Sequence, residues 1–210
     1  MNIFAVDWDP VTAAKNLCDK HIPKMIVESA QLLSTAHRLL DGTEYEGKTL
    51  SGRKARRWLL ADPAHDAEIY EATFINHPCT IWTRSCNSNY LWLAKHANTM
   101  CDEFHLRFGN PHKTKPLIEF FCQQEPKNIA KRSLEPFALA MPDEYKVEDN
   151  PILSYRKYYA HAKARFAKWR LPDRMPDWFC AYCRENNIPM LQETPADVML
   201  DLALETFNKP

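Results

Sequence analysis

The sequence predicts an all-α fold: a compact, single-domain bundle of several helices with a short extended lead-in at the N-terminus. Three observations carry this expectation. Apolar residues recur at three- and four-residue spacing over long stretches, and no alternating apolar–polar pattern is sustained. Helix start and stop signals built on Asp, Asn, Pro and Gly punctuate the chain. The 210 residues contain only 4 Gly against 15 Pro, and neither GxGxxG nor GxxxxGKS/T occurs. A nucleotide-binding α/β fold, whose phosphate loops need glycines, is thereby excluded.

Residues 2–8 form the apolar lead-in. Asp9-Pro10 pairs an N-cap with a proline at the first helical position, predicting a helix over about 10–20. Pro23 should interrupt it, so a second helix is predicted over about 23–40, closed by Asp41-Gly42. Residues 41–63 read as a long exposed connection. Asp62-Pro63 starts a helix through about Phe74, and Asn76-His77-Pro78 is a turn. A long helix follows over about 79–108, stopped by Gly109-Asn110-Pro111. A short helix is expected at 114–123 and mainly loop at 124–150. Pro151 opens a helix to about Trp169, and Thr194-Pro195 caps a last one over about 195–207. The division drawn from this is an all-α catalytic domain over 1–180, with a helical extension over 181–210 packed on it.

The second helix is two-faced. From His21, steps of three and four residues select Lys24, Glu28, Gln31, Thr35 and Arg38, all polar. Ile22, Met25, Ile26, Leu32, Leu33, Ala36 and Leu40 make the opposite, core-facing side. His21 and Glu28 lie two turns apart, roughly 10 Å. They are too distant for a direct bond but open to a substrate group or water between them. A solvated polar face fits the same spacing.

The formal net charge is +0, but the signs are segregated. Arg53, Lys54, Arg56 and Arg57 form one basic cluster. Arg156, Lys157, Lys163, Arg165, Lys168 and Arg170 form another, with no acid between Ser154 and Leu171. Such clusters suit a polyanion, and the aromatics among the second cluster serve either base stacking or the core. His77, at a helix N-terminus, suits a phosphate as well as it suits an ordinary cap. Cys180-Ala181-Tyr182-Cys183 is a lone CxxC, whereas a structural zinc needs four ligands, so no metal and no cofactor is expected. Seven Cys, no basic leader and no run of 18 apolar residues point to a reducing cytoplasm and no membrane span.

Asp19, His21 and Glu28, an Asp-x-His followed seven residues later by Glu, resemble the phage endonuclease V family, the pyrimidine-dimer DNA glycosylases. The resemblance continues through Asn76-His77-Pro78, Glu103 with Arg107-Phe108-Gly109, and Trp178-Phe179, so it is patchy across 1–180. The opening Asp-Pro…Cys-Asp-Lys-His also resembles phage-encoded proteins. The resemblance implies a compact all-α enzyme that acts on a pyrimidine nucleotide in double-stranded DNA and cleaves its N-glycosidic bond. AP-lyase activity would follow through an imine at C1′. Glu28 would be the assisting glutamate. His21, Lys24, Arg38, Asp19, His77, Arg53, Arg56, Arg57, Arg156 and Lys163 would hold the sugar-phosphate or the complementary strand. In the family the nucleophile is the α-amine exposed by loss of the initiator Met. Here the second residue is Asn2, large enough that Met1 is usually retained. The amine would therefore be that of Asn2 or of Met1, or else Glu28 activates water. Two other classes stay open: a transferase tailoring a hypermodified pyrimidine in phage DNA, and a non-catalytic nucleic-acid-binding or host-inhibitory protein.

Overall fold

A computed structural model describes residues 2–49 and 51–191. Among the described residues the chain is mainly helical: α1 Pro10–Lys15, α2 His21–Asp41, α3 Pro63–Glu68, α4 Pro78–Ser85, α5 Asn87–Phe108, α6 Lys115–Gln123, α7 Pro151–Lys163 and α8 Asp177–Glu185. A single antiparallel hairpin, β1 Thr43–Lys48 with β2 Lys54–Leu59, interrupts the series. No helix among the described residues is long and apolar enough to cross a membrane.

The caps explain where the helices begin. Asp9 accepts hydrogen bonds from the Thr12 N–H at 2.8 Å and its hydroxyl at 2.7 Å, and Pro10 takes the first helical position. Asp62 and Asn150 cap α3 and α7 in the same way, each followed by proline. Gly109, at φ 82°, terminates α5 in the left-handed conformation that a side chain would resist.

α2 is the central element. Its apolar face is buried as its spacing predicts, with Ile22, Ile26, Leu32, Leu33 and Ala36 fully inaccessible. It packs on α5 and α4, while α5 also carries α1 and α6. α7 packs with α8, and Tyr155, Tyr159, Phe179 and Cys183 join the same continuous core.

Several boundaries differ from those predicted. Pro23 does not delay α2, which starts at His21. Pro23 lies in the first turn, where an N–H would have no helical acceptor to lose. The helix predicted over 79–108 is two helices. Cys86 is extended (φ −155°, ψ 161°), and the Asn87 N–H donates to the Ala130 carbonyl at 2.8 Å. The segment after Ala130 thus crosses the break, held further by the Arg132 N–H donating to Asn87 Oδ1 at 3.0 Å and the Glu135 N–H donating to Asn89 Oδ1 at 2.9 Å. α3 ends at Glu68 and α7 at Lys163, both short of the predicted ends, and α8 lies where no helix was expected. The connection at 41–63 contains the hairpin. The division drawn at residue 180 falls inside α8. The helix predicted over 195–207 lies outside the described residues.

Candidate active site

The N-terminal segment is pressed against α2, with Ile3, Ala5 and Val6 fully buried. Asn2 is held by three hydrogen bonds. Its side-chain amide donates to the Ala140 carbonyl at 2.8 Å, and its Oδ1 accepts the Phe4 N–H at 2.9 Å. Its main-chain nitrogen meets Glu28 Oε2 at 3.1 Å. The side-chain bond to Phe4 is a local Asx-type turn. It accompanies a φ of 44° at Phe4, a conformation bulky residues rarely adopt.

Glu28 therefore faces the second residue of the chain. Its other oxygen lies 3.4 Å from Lys24 Nζ, one turn back on α2. These groups open into a cavity of about 200 Å³, completed by Phe4, His21, Tyr158, Lys163 and the backbone of Ala140. One wall is aromatic. The His21 ring stacks on Phe4 at 4.8 Å, and Phe4 lies nearly parallel to Tyr158 at 6.1 Å. Lys163 Nζ sits 5.1 Å from the Tyr158 ring and 5.5 Å from that of Phe4. Burial, then the like charge of Lys24, lowers the Lys163 pKa.

His21 does not behave as a cation here. Burial, reinforced by Lys163, Lys24 and Lys20, depresses its pKa to about 3, so at neutral pH it is an uncharged imidazole. Its Nδ1 is buried with no hydrogen-bond partner among the described residues. It can shape the pocket and donate or accept one hydrogen bond. The positive charge at the rim comes from Lys24 and Lys163.

His77 caps α4, its Nδ1 accepting the Cys79 N–H at 3.2 Å. That bond leaves the neutral ring its proton on Nε2. Burial lowers the His77 pKa, and the Glu28 charge acts the other way, as it does for a group nearby.

Other predicted site residues are engaged elsewhere. Asp19 bridges Arg107 at 3.1 Å and the Arg170 N–H at 2.8 Å, tying the α1–α2 junction to α5 and the segment before α8. Arg38 is buried and binds Asp66 and the carbonyls of Trp58, Asp66, Ile69 and Tyr70. Arg156 donates to the Val6 carbonyl at 2.8 Å and lies 3.2 Å from Asp7, so it holds the lead-in that carries Asn2. Arg53 is exposed at the hairpin turn, whereas Arg56 is paired with Glu44 at 2.6 Å and Arg57 lies 3.6 Å from Glu71. Met1 lies outside the described residues. Cys180 and Cys183 are buried on α8, and among the described residues no group of three or more His, Cys, Asp or Glu is placed to hold a metal. Phe4, Tyr158 and the Ala140 carbonyl were not expected at the site. Tyr158 gave no separate signal: three residues from Tyr155, it shares the face of the Tyr155/Tyr159 column by spacing alone.

The helical fold thus sets a carboxylate against a main-chain nitrogen, in a polar cleft rimmed by lysines and backed by aromatic rings. A family model described as pyrimidine dimer DNA glycosylase matches residues 1–117. That is more than half of the chain, and the protein belongs to this family of DNA-acting enzymes. The match includes Asn2, His21, Glu28 and His77, whereas Tyr158 and Lys163 come from the part beyond it. No curated protein and no solved structure matches the chain.

Proposed function

We propose that the protein cleaves the glycosidic bond of a damaged pyrimidine in duplex DNA by attack of the main-chain nitrogen of Asn2, freed as an α-amine by removal of Met1 against the usual retention before a residue of this size. The carrying observation is the 3.1 Å separation between that nitrogen and Glu28 Oε2. As an amide the nitrogen has no available lone pair. As an amine beside a carboxylate it has both a lone pair and a proton acceptor. The amine bonds to C1′ while the C1′–N1 bond breaks, and that electron pair leaves on the base, which takes up a proton. Glu28 accepts the proton lost by the attacking nitrogen and steadies the positive charge developing at the sugar. Opening of the sugar ring gives an imine, from which loss of a C2′ proton expels the 3′ phosphate. This second stage is the AP-lyase activity.

Lys24 and Lys163 provide phosphate contacts at the rim, and the His77 Nε2–H is a neutral donor to the sugar or a phosphate. A dimer distorts its helix, so extruding a nucleotide there costs less than at an intact pair.

The test is nicking of ultraviolet-irradiated duplex DNA by wild type and Glu28→Gln. The variant keeps the shape and a hydrogen-bond acceptor but not the base. A loss of at least 100-fold, the lower end of general base contributions, is expected. Equal rates in the two proteins would refute the assignment of Glu28.

A further inference from the structure

The backbone of the segment between α3 and α4 is anchored at several points. The Tyr70 N–H donates to Ser34 Oγ at 3.2 Å, and the Tyr70 carbonyl accepts from Arg38 at 3.1 Å. The Thr73 N–H donates to Thr35 Oγ1 at 3.1 Å, and that hydroxyl contacts the Thr73 carbonyl. The His77 N–H closes a turn onto the Phe74 carbonyl at 2.9 Å. Between these anchors Phe74 has φ 47°, and its side chain is 60% exposed. Scattered exposed apolar residues are ordinary. A bulky aromatic in the left-handed region, at the apex of a turn pinned on both sides, is not.

Its place gives it a use. Thr35 lies on the Glu28 face of α2, two turns further on, roughly 10 Å. His77 caps α4, which packs directly on α2. Phe74, next to the Thr73 backbone that Thr35 holds, therefore lies about 10 Å along α2 from Glu28, roughly three base steps from the sugar that Glu28 would serve. A nucleotide taken out of a duplex leaves a gap in the stack, and an apolar side chain that enters it opposes return. Phe74 has the flat apolar surface for that, and its rigid turn limits the ordering cost.

We propose that Phe74 is a wedge that enters the base stack of duplex DNA beside the lesion and holds the extruded state open. This rests on the DNA-excision reading but not on the identity of the nucleophile. Single-stranded DNA has no stack to hold open, so the requirement is confined to duplex.

The experiment uses the full chain and a thymine-dimer oligonucleotide, single-stranded or paired, with 2-aminopurine opposite the lesion in the paired form. Phe74→Ala is expected to cut kcat/KM on duplex by about tenfold or more, the scale of one lost aromatic–base stack. Its rate on the single strand and its melting temperature should match wild type, and Phe74→Tyr should restore duplex activity. In binding alone, 2-aminopurine brightens with wild type and stays near the free-duplex level with Phe74→Ala. Equal losses on both DNA forms, or equal brightening by both proteins, overturn the wedge. Phe74-dependent brightening with no cleavage by wild type would instead sustain the wedge and refute the excision chemistry.

Discussion

Arg38 separates a structural role from a substrate role, and its substitution has a calculable cost. The guanidinium is buried between α2, the hairpin and the α3–α4 segment. It donates to the Trp58 carbonyl at 2.8 Å, Asp66 carbonyl at 2.8 Å, Ile69 carbonyl at 3.2 Å and Tyr70 carbonyl at 3.1 Å, and it pairs with the Asp66 carboxylate. Arg38→Met keeps the stem but leaves four carbonyls and a partly buried carboxylate without this donor. Removing one partner of such a pair costs about 3–5 kcal/mol. For a chain of this size that is on the order of 10 °C in melting temperature. Thermal and urea unfolding of wild type and variant read it directly. The α3–α4 segment also carries Phe74 and His77, so activity should fall with stability. A variant that melts within about 2 °C of wild type but loses duplex affinity, with a shallower salt dependence, would refute this reasoning. It would make Arg38 a substrate ligand.

Two further outcomes are expected. Lys163→Met should weaken duplex binding and reduce the slope of log K against log salt by about one, as for loss of one phosphate contact. An unchanged slope in a binding titration would remove Lys163 from the DNA interface. His96 is fully buried, stacked on Trp92 at 5.0 Å, and burial depresses its pKa to about 3. It stays neutral in the folded protein while the unfolded chain takes up its proton below about pH 6.5. Stability from this group is therefore present above that pH and is lost by about 1.4 kcal/mol per pH unit down to about pH 3. His96→Leu should remove roughly 2 kcal/mol of the loss between pH 6.5 and 5. Identical pH dependence of the urea midpoints would contradict it.

The sequence made the helices legible wherever one face had to be buried. The apolar column of α2 and the proline-led caps of α1, α3 and α7 could be read directly, because each signal is local. The hairpin could not. Its strands are exposed on most positions, with Trp58 as the only buried residue among them, so no hydrophobic alternation marks them. They are fastened by charge instead: Glu44–Arg56 and Glu46–Lys54 are diagonal cross-strand pairs in the register Glu44↔Trp58, Glu46↔Arg56. The break at Cys86 was equally hidden, since its cause is a segment more than 40 residues further along the chain.

At the site, residue spacing picked out Glu28 and Lys24 correctly as neighbours. It could not separate a charge facing solvent from one facing carbonyls. Arg38 shares the helical column of Glu28, yet its surroundings are five main-chain and side-chain acceptors contributed by residues 58–70. His21 looks cationic as a letter among lysines. Its neutrality comes from the rings of Phe4, Tyr159 and Phe166 packed around it, none adjacent in sequence. The family resemblance named the amine of Asn2 or of Met1 beside Glu28, but spacing alone could not join positions 26 residues apart; the fold sets the Asn2 nitrogen 3.1 Å from Glu28 Oε2.

The most direct test follows from that contact. The protein is incubated with a thymine-dimer duplex and borohydride, digested, and its N-terminal peptide weighed by mass spectrometry. The account predicts a peptide beginning at Asn2 that carries the reduced sugar on its α-nitrogen, and loss of that adduct in Glu28→Gln. Glycosidic cleavage with no adduct, or an adduct on Lys163 or Lys24, would contradict it.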